Sequence, residues 1–104
     1  MPYIGKDFTP TDTGAIETYT FDFSNDLGAN ETIEAASFTC ATIDGIDIDP
    51  QSHVQGQAQV SGNLASQQIE GLVGGALYRL QCAVTTSLGN VLILYSHVRC
   101  KDPQ

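Results

Sequence analysis

The chain has 104 residues, a length that builds one domain rather than two. Hydrophobic residues make up 41% of it and charged residues 15%, a balance that disordered chains lack, and no apolar run approaches the ~20 residues of a membrane span. Twelve Asp and Glu against four Lys and Arg leave a net charge of −8, which a phosphate backbone or an anionic lipid surface repels, so neither nucleic acid nor membrane is an expected partner.

The opening MPYIGKDFTP has no apolar h-region, so no secretory signal is expected there. Residues 1–12 are read as a possible N-terminal arm on a single domain spanning 1–104. Tyr3, Ile4 and Phe8 are its apolar residues. Two roles are open to them: a first strand of the domain, or docking on a neighbouring subunit.

The first clear strand is predicted over Glu17–Phe23, where Tyr19, Phe21 and Phe23 alternate with Thr18, Thr20 and Asp22. Turn formers end it at Ser24–Asn30. A second strand, about Thr32–Ile43, puts Ala36, Phe38 and Cys40 on one face. Asp44-Gly45 reads as a turn, and Ile46–Asp49 as a short edge piece stopped by Pro50. Gln51–Gln57 is polar and reads as a loop. Ala58–Ser61 and Ala65–Ile69 are weaker strands around Gly62-Asn63. Leu77–Thr86 and Val91–Val98 form the strongest pair, joined by the four residues Ser87–Asn90. Tyr78, Leu80, Cys82 and Val84 face one way, and Leu92, Leu94 and Val98 join them. Lys101–Gln104 reads as a tail.

Strands at intervals of about ten residues, with no helical periodicity, define an all-β class. Leu72, Gly75 and Tyr78 sharpen it, because a Tyr opening a strand after such a turn can send its hydroxyl back to the backbone upstream. That is the tyrosine corner of immunoglobulin-like, fibronectin type III-like β-sandwiches of about seven antiparallel strands, although Gly74 stands where the fibronectin pattern has Pro. On this reading Phe21, Phe38 and Leu80 belong to the core.

Cys40, Cys82 and Cys100 are odd in number, which argues against a disulfide framework and for a reducing compartment. If Ser87 and Asn90 flank the hairpin turn, opposed residues sum to about 177, which sets Cys82 against Tyr95 and leaves Cys82 and Cys100 unpaired.

Candidate chemistry is sparse. Asp44, Asp47 and Asp49 lie close enough to suggest Ca²⁺, but without the spacing of an EF-hand loop, and read better as a solvated turn and a charged edge. His53 and His97 have no nucleophile or carboxylate at a defensible spacing and read as surface or interface residues, with His97 exposed. No zinc set, nucleophile elbow or phosphate loop is present in the sequence, so no catalytic residue, metal or cofactor is assigned, and the chain reads as non-enzymatic.

Three segments carry a resemblance: Asp7–Pro10, Glu17–Thr39 and Ala65–Cys100, with Thr86-Ser-Leu-Gly-Asn90 and Ser96-His-Val-Arg-Cys100 the most individual pieces. They resemble the fiber-tail adaptor or neck proteins of tailed bacteriophages. The resemblance implies a virion component assembled in host cytoplasm. Several copies in a symmetric assembly would link the portal and adaptor region to tail fibres or nozzle. The resemblance transfers no functional residue; Tyr3, Ile4, Phe8, Tyr95 and His97 are interface candidates on the residue pattern alone. The alternative is a capsid decoration or fibre-attached module that binds capsid or cell-surface glycan, for which Tyr95 is the strand aromatic to examine.

Overall fold

The computed structural model describes Phe8, Thr11, Asp12 and residues 14–101; Tyr3, Ile4 and the last three residues lie outside the described residues. Seven strands form: β1 (Thr11–Asp12), β2 (Ile16–Asp22), β3 (Ile33–Asp44), β4 (Val54–Ser61), β5 (Leu64–Glu70), β6 (Leu77–Thr86) and β7 (Val91–Lys101). They make one sheet in the order β1-β7-β6-β3 and a second in the order β2-β5-β4. The first carries the C-F-G pattern and the second the B-E-D pattern of an immunoglobulin-like sandwich. Neighbours pair antiparallel, except that β1 runs parallel to β7, with Thr11 opposite Cys100.

The alternation along each strand dictates this layering. Tyr19, Phe21 and Phe23 point inward from the second sheet and meet Phe38, Cys40, Tyr78, Leu80, Cys82, Val84, Leu94 and Val98 of the first. Phe21 and Phe38 span the two layers with ring centroids 5.7 Å apart. Phe8 adds to the same stack, 4.8 Å from Tyr19 and 5.4 Å from Phe21, and its N–H donates to the His97 carbonyl at 2.9 Å. Its ring packs, partly buried, against the core. Aromatic contacts at these distances add to plain burial. Thr11 and Lys101, read from sequence as arm and tail, are strand residues.

Three local expectations are corrected. The β6–β7 hairpin pairs Cys82 with Leu94 and Leu77 with Arg99, one residue away from the expected register. The cause is the turn. Thr86 N–H donates to the Asn90 carbonyl and Gly89 N–H to the Thr86 carbonyl, closing a three-residue loop rather than four. Gly89 takes φ 82°, the left-handed position that such a loop needs. Second, Gln51–Gln57 is not a loop throughout: after a 3₁₀ turn at Pro50–His53, β4 begins at Val54, which pairs with Ile69. A bulge between Gln55 and Gln59, with Gly56 at φ 71°, hides the alternation that would mark the strand. Third, Ile46–Asp49 pairs with no strand among the described residues and is a loop.

Side chains close what the ladders leave open. At the exposed edge of β3 the Gln51 carboxamide donates to the Phe38 carbonyl at 3.1 Å and accepts the Cys40 N–H at 3.0 Å, as the peptide unit of a further strand would. At the β6–β7 turn, Thr86 Oγ1 and Asn90 Nδ2 both donate to Glu31 Oε2, at 2.5 and 2.8 Å, while Gly28 N–H donates to Oε1 at 2.8 Å. These donors, the Gly28 N–H foremost, hold the Glu31 carboxyl below its ordinary pKa. One carboxylate thereby ties the turn between β2 and β3 to the turn between β6 and β7.

All three cysteines are free and buried, and burial pushes the Cys40 and Cys82 thiols up to about 12. Thiol titration of the native protein at neutral pH is expected to find almost no reaction at these two, and three thiols after denaturation without reductant. A count of one would mean a disulfide and contradict the packing described.

Candidate functional site

The segment between β5 and β6 makes the corner anticipated from Leu72, Gly75 and Tyr78. Leu72 is buried, the Gly75 N–H donates to the Cys100 carbonyl at 2.8 Å, and the Tyr78 hydroxyl accepts the Val73 N–H at 2.9 Å. The hydroxyl has a second partner that the sequence reading missed. It donates to Asp47 Oδ2 at 2.6 Å. His53 Nε2 lies 2.6 Å from the same oxygen, and His53 Nδ1 lies 3.0 Å from the Glu70 carbonyl oxygen. Both ring nitrogens thus face acceptors. Asp47 Oδ1 accepts the Asp49 N–H at 3.1 Å, and the Asp47 carbonyl accepts the Thr42 hydroxyl at 3.1 Å.

Asp47 is therefore not a solvated edge charge, and His53 is not a bare surface residue. Their side chains are 9% and 13% exposed. Burial alone raises the Asp47 carboxyl, but the Tyr78, His53 and Asp49 hydrogen bonds outweigh it and leave the group below its ordinary pKa. The same contact, added to burial, pushes the Tyr78 phenol far above its ordinary pKa. Chain sterics bring the loop to this position. Gly45 has φ 91°, and a Cβ there would stand 2.9 Å from the Ala76 Cα, so the turn after β3 lies directly on the corner.

This anchoring presents what surrounds it. Ile46 and Ile48 alternate with Asp47 and are 85% and 98% exposed. They are apolar side chains on a loop that cannot fold them inward, because Asp47 occupies the inward position.

The outer face of β6 and β7 is the second notable surface. Tyr95 and His97 lie there half-buried, their rings 5.8 Å apart in an edge contact, and the Arg79 guanidinium lies 5.8 Å from the Tyr95 ring centre. His97, expected to be exposed, is covered in part by this packing. A shallow open groove of about 780 Å³ separates β3 from β4, lined by Ala36, Phe38, Val54, Ala58 and Gln67 among others. Among the described residues no group of three His, Cys, Asp or Glu could hold a metal ion. No helix among them is long and apolar enough to cross a membrane.

Two antiparallel sheets closed by a tyrosine corner define an immunoglobulin-like β-sandwich, an architecture that assigns no function by itself. The particular family follows from comparison with known proteins. The family model described as "Podophage GP4 fiber-tail adaptor protein gp77" matches residues 12–94, and the chain belongs to that family of phage structural adaptors. The comparison with curated proteins gives no match.

Tyr78→Phe is expected to cost about 1–2 kcal/mol, because it removes the hydroxyl that accepts from Val73 and donates to Asp47. Urea unfolding measures this, and unchanged stability would contradict the corner. The sign of the pH dependence follows from the depressed Asp47. Its contribution is complete above the ordinary carboxylate pKa and is lost as pH falls through the lower folded value. Asp47→Asn should therefore make the acid limb of a stability–pH profile shallower, the remainder belonging to Glu31.

Proposed function

We propose that this chain is a non-enzymatic virion protein that links the portal and adaptor region of the phage neck to tail fibres or nozzle, in several copies arranged symmetrically. The observation that carries this reading is the family match, which spans nearly the whole sandwich from β1 into β7. Three features support it. The Cys40 and Cys82 thiols are held protonated by burial, so neither serves as an activated nucleophile. Both ends of the sandwich are braced by a carboxylate, Glu31 at one and Asp47 at the other, as suits a part that transmits load between larger bodies. Three buried, unpaired thiols suit assembly in host cytoplasm before the virion is released. A glycan-binding decoration would call for an open aromatic platform, and Tyr95 instead lies half-buried between Arg79 and His97.

Light scattering of the purified chain, alone and with the portal and adaptor proteins of its phage, tests the reading. The expected result is a multi-copy complex that contains the portal or adaptor. A chain that ignores both proteins would contradict it and favour the decoration role.

A further inference from the structure

Large apolar side chains held in water are unfavourable, and a group of them in one place marks a contact surface. Nine are exposed among the described residues, and five of these lie at one end of the sandwich. Ile43 closes β3, Ile46 and Ile48 follow on the 44–49 loop, Ile16 starts β2 opposite Glu70, and Val73 sits in the corner before β6. The Tyr78 hydroxyl joins that corner to the loop, since it accepts the Val73 N–H and donates to Asp47. Ile48 and Ile46 are the most exposed of the nine, followed by Leu88 at 64%, which lies at the opposite end. A folded chain gains nothing from two isoleucines left so far in solvent.

The loop that carries them is already ordered. Gly45 N–H donates to Asp44 Oδ1 at 2.9 Å, the Thr42 hydroxyl donates to the Asp47 carbonyl at 3.1 Å, and Asp49 N–H donates to Asp47 Oδ1 at 3.1 Å. A partner that takes hold of this loop therefore has little of its entropy to overcome. The isoleucines project, so what fits them is a concave apolar pocket. The chain's own groove between β3 and β4 is shallow and carries Glu34, which would meet the Asp44 and Asp49 that flank the isoleucines with like charge, so a second copy suits them poorly. Asp44 itself stands in register with Leu77 and, one strand further, Arg99, so the charge at this end is mixed and the contact is carried by apolar surface. The chain belongs to a family of fiber-tail adaptors, and an adaptor works through other tail proteins. We propose that Ile46 and Ile48 are the paired anchor by which this chain seats in an apolar pocket of a different tail protein, with Ile43 and Val73 at the edge of the contact. The proposal rests on the adaptor reading above and names the surface that serves it.

Binding of the full chain to the purified portal, adaptor and fibre proteins of its phage, read by biolayer interferometry, tests this. Three proteins are compared: wild type, Ile46→Ser with Ile48→Ser, and Leu88→Ser as a control at the opposite end. Urea unfolding is run on each. Both isoleucines are in water in the free chain, so the double variant should unfold at the wild-type midpoint. The wild type is expected to bind at least one of the three proteins. The double variant should bind that protein about a hundredfold or more weaker, the loss of two apolar side chains from a pocket, and Leu88→Ser should bind as wild type does. A double variant with wild-type affinity, or an equal loss in Leu88→Ser, would overturn the anchor and leave the adaptor role standing. A wild type that binds none of the three would overturn the adaptor role, and the anchor with it.

Discussion

One carboxylate oxygen organises one end of this molecule. Asp47 Oδ2 takes a hydrogen bond from the Tyr78 hydroxyl and another from the His53 ring, while the hydroxyl itself accepts from the backbone at Val73. Two connections, the one between β3 and β4 with its 3₁₀ turn and the one between β5 and β6, are thereby joined. The cost of burying a charge is offset because each oxygen of the carboxylate is met by a donor. Glu31 does the same at the other end, where Gly28, Thr86 and Asn90 all donate to it. Between these braces the aromatic stack of Phe8, Tyr19, Phe21 and Phe38 fills the space between the sheets.

That construction decides which parts of the chain are left to face partners. With Asp47 turned inward, Ile46 and Ile48 stand in solvent on a braced loop. With Tyr78, Leu80 and Val98 turned inward, Arg79, His97 and Arg99 stand on the outer face of the sheet. A family of phage fiber-tail adaptors needs surfaces rather than reaction centres, and both surfaces follow from side chains committed to the core.

Much of the fold was legible because strand alternation is a local signal. Tyr19, Phe21 and Phe23, and again Tyr78, Leu80, Cys82 and Val84, declare their inward face within a few residues. The corner at Leu72–Tyr78 was legible for the same reason. What escaped depends on distance along the chain or on turn detail. Asp47 meets Tyr78 across 31 positions, and nothing between them records the contact. His53 looks solitary until the 3₁₀ turn folds it back on Asp47. The hairpin register slipped by one because Gly89 shortens the loop. β4 was half missed because its bulge breaks the alternation among glutamines.

The central claim is that this sandwich is a repeated joint in the neck of a phage particle. A reconstruction of the intact virion by electron cryomicroscopy, without imposed symmetry at the tail, tests it most directly. The result expected is several copies of a two-sheet domain of this size, with extents near 48 × 26 × 21 Å, between the portal region and the fibres or nozzle. A particle that lacks the protein, or carries it only on the capsid surface, would contradict the claim.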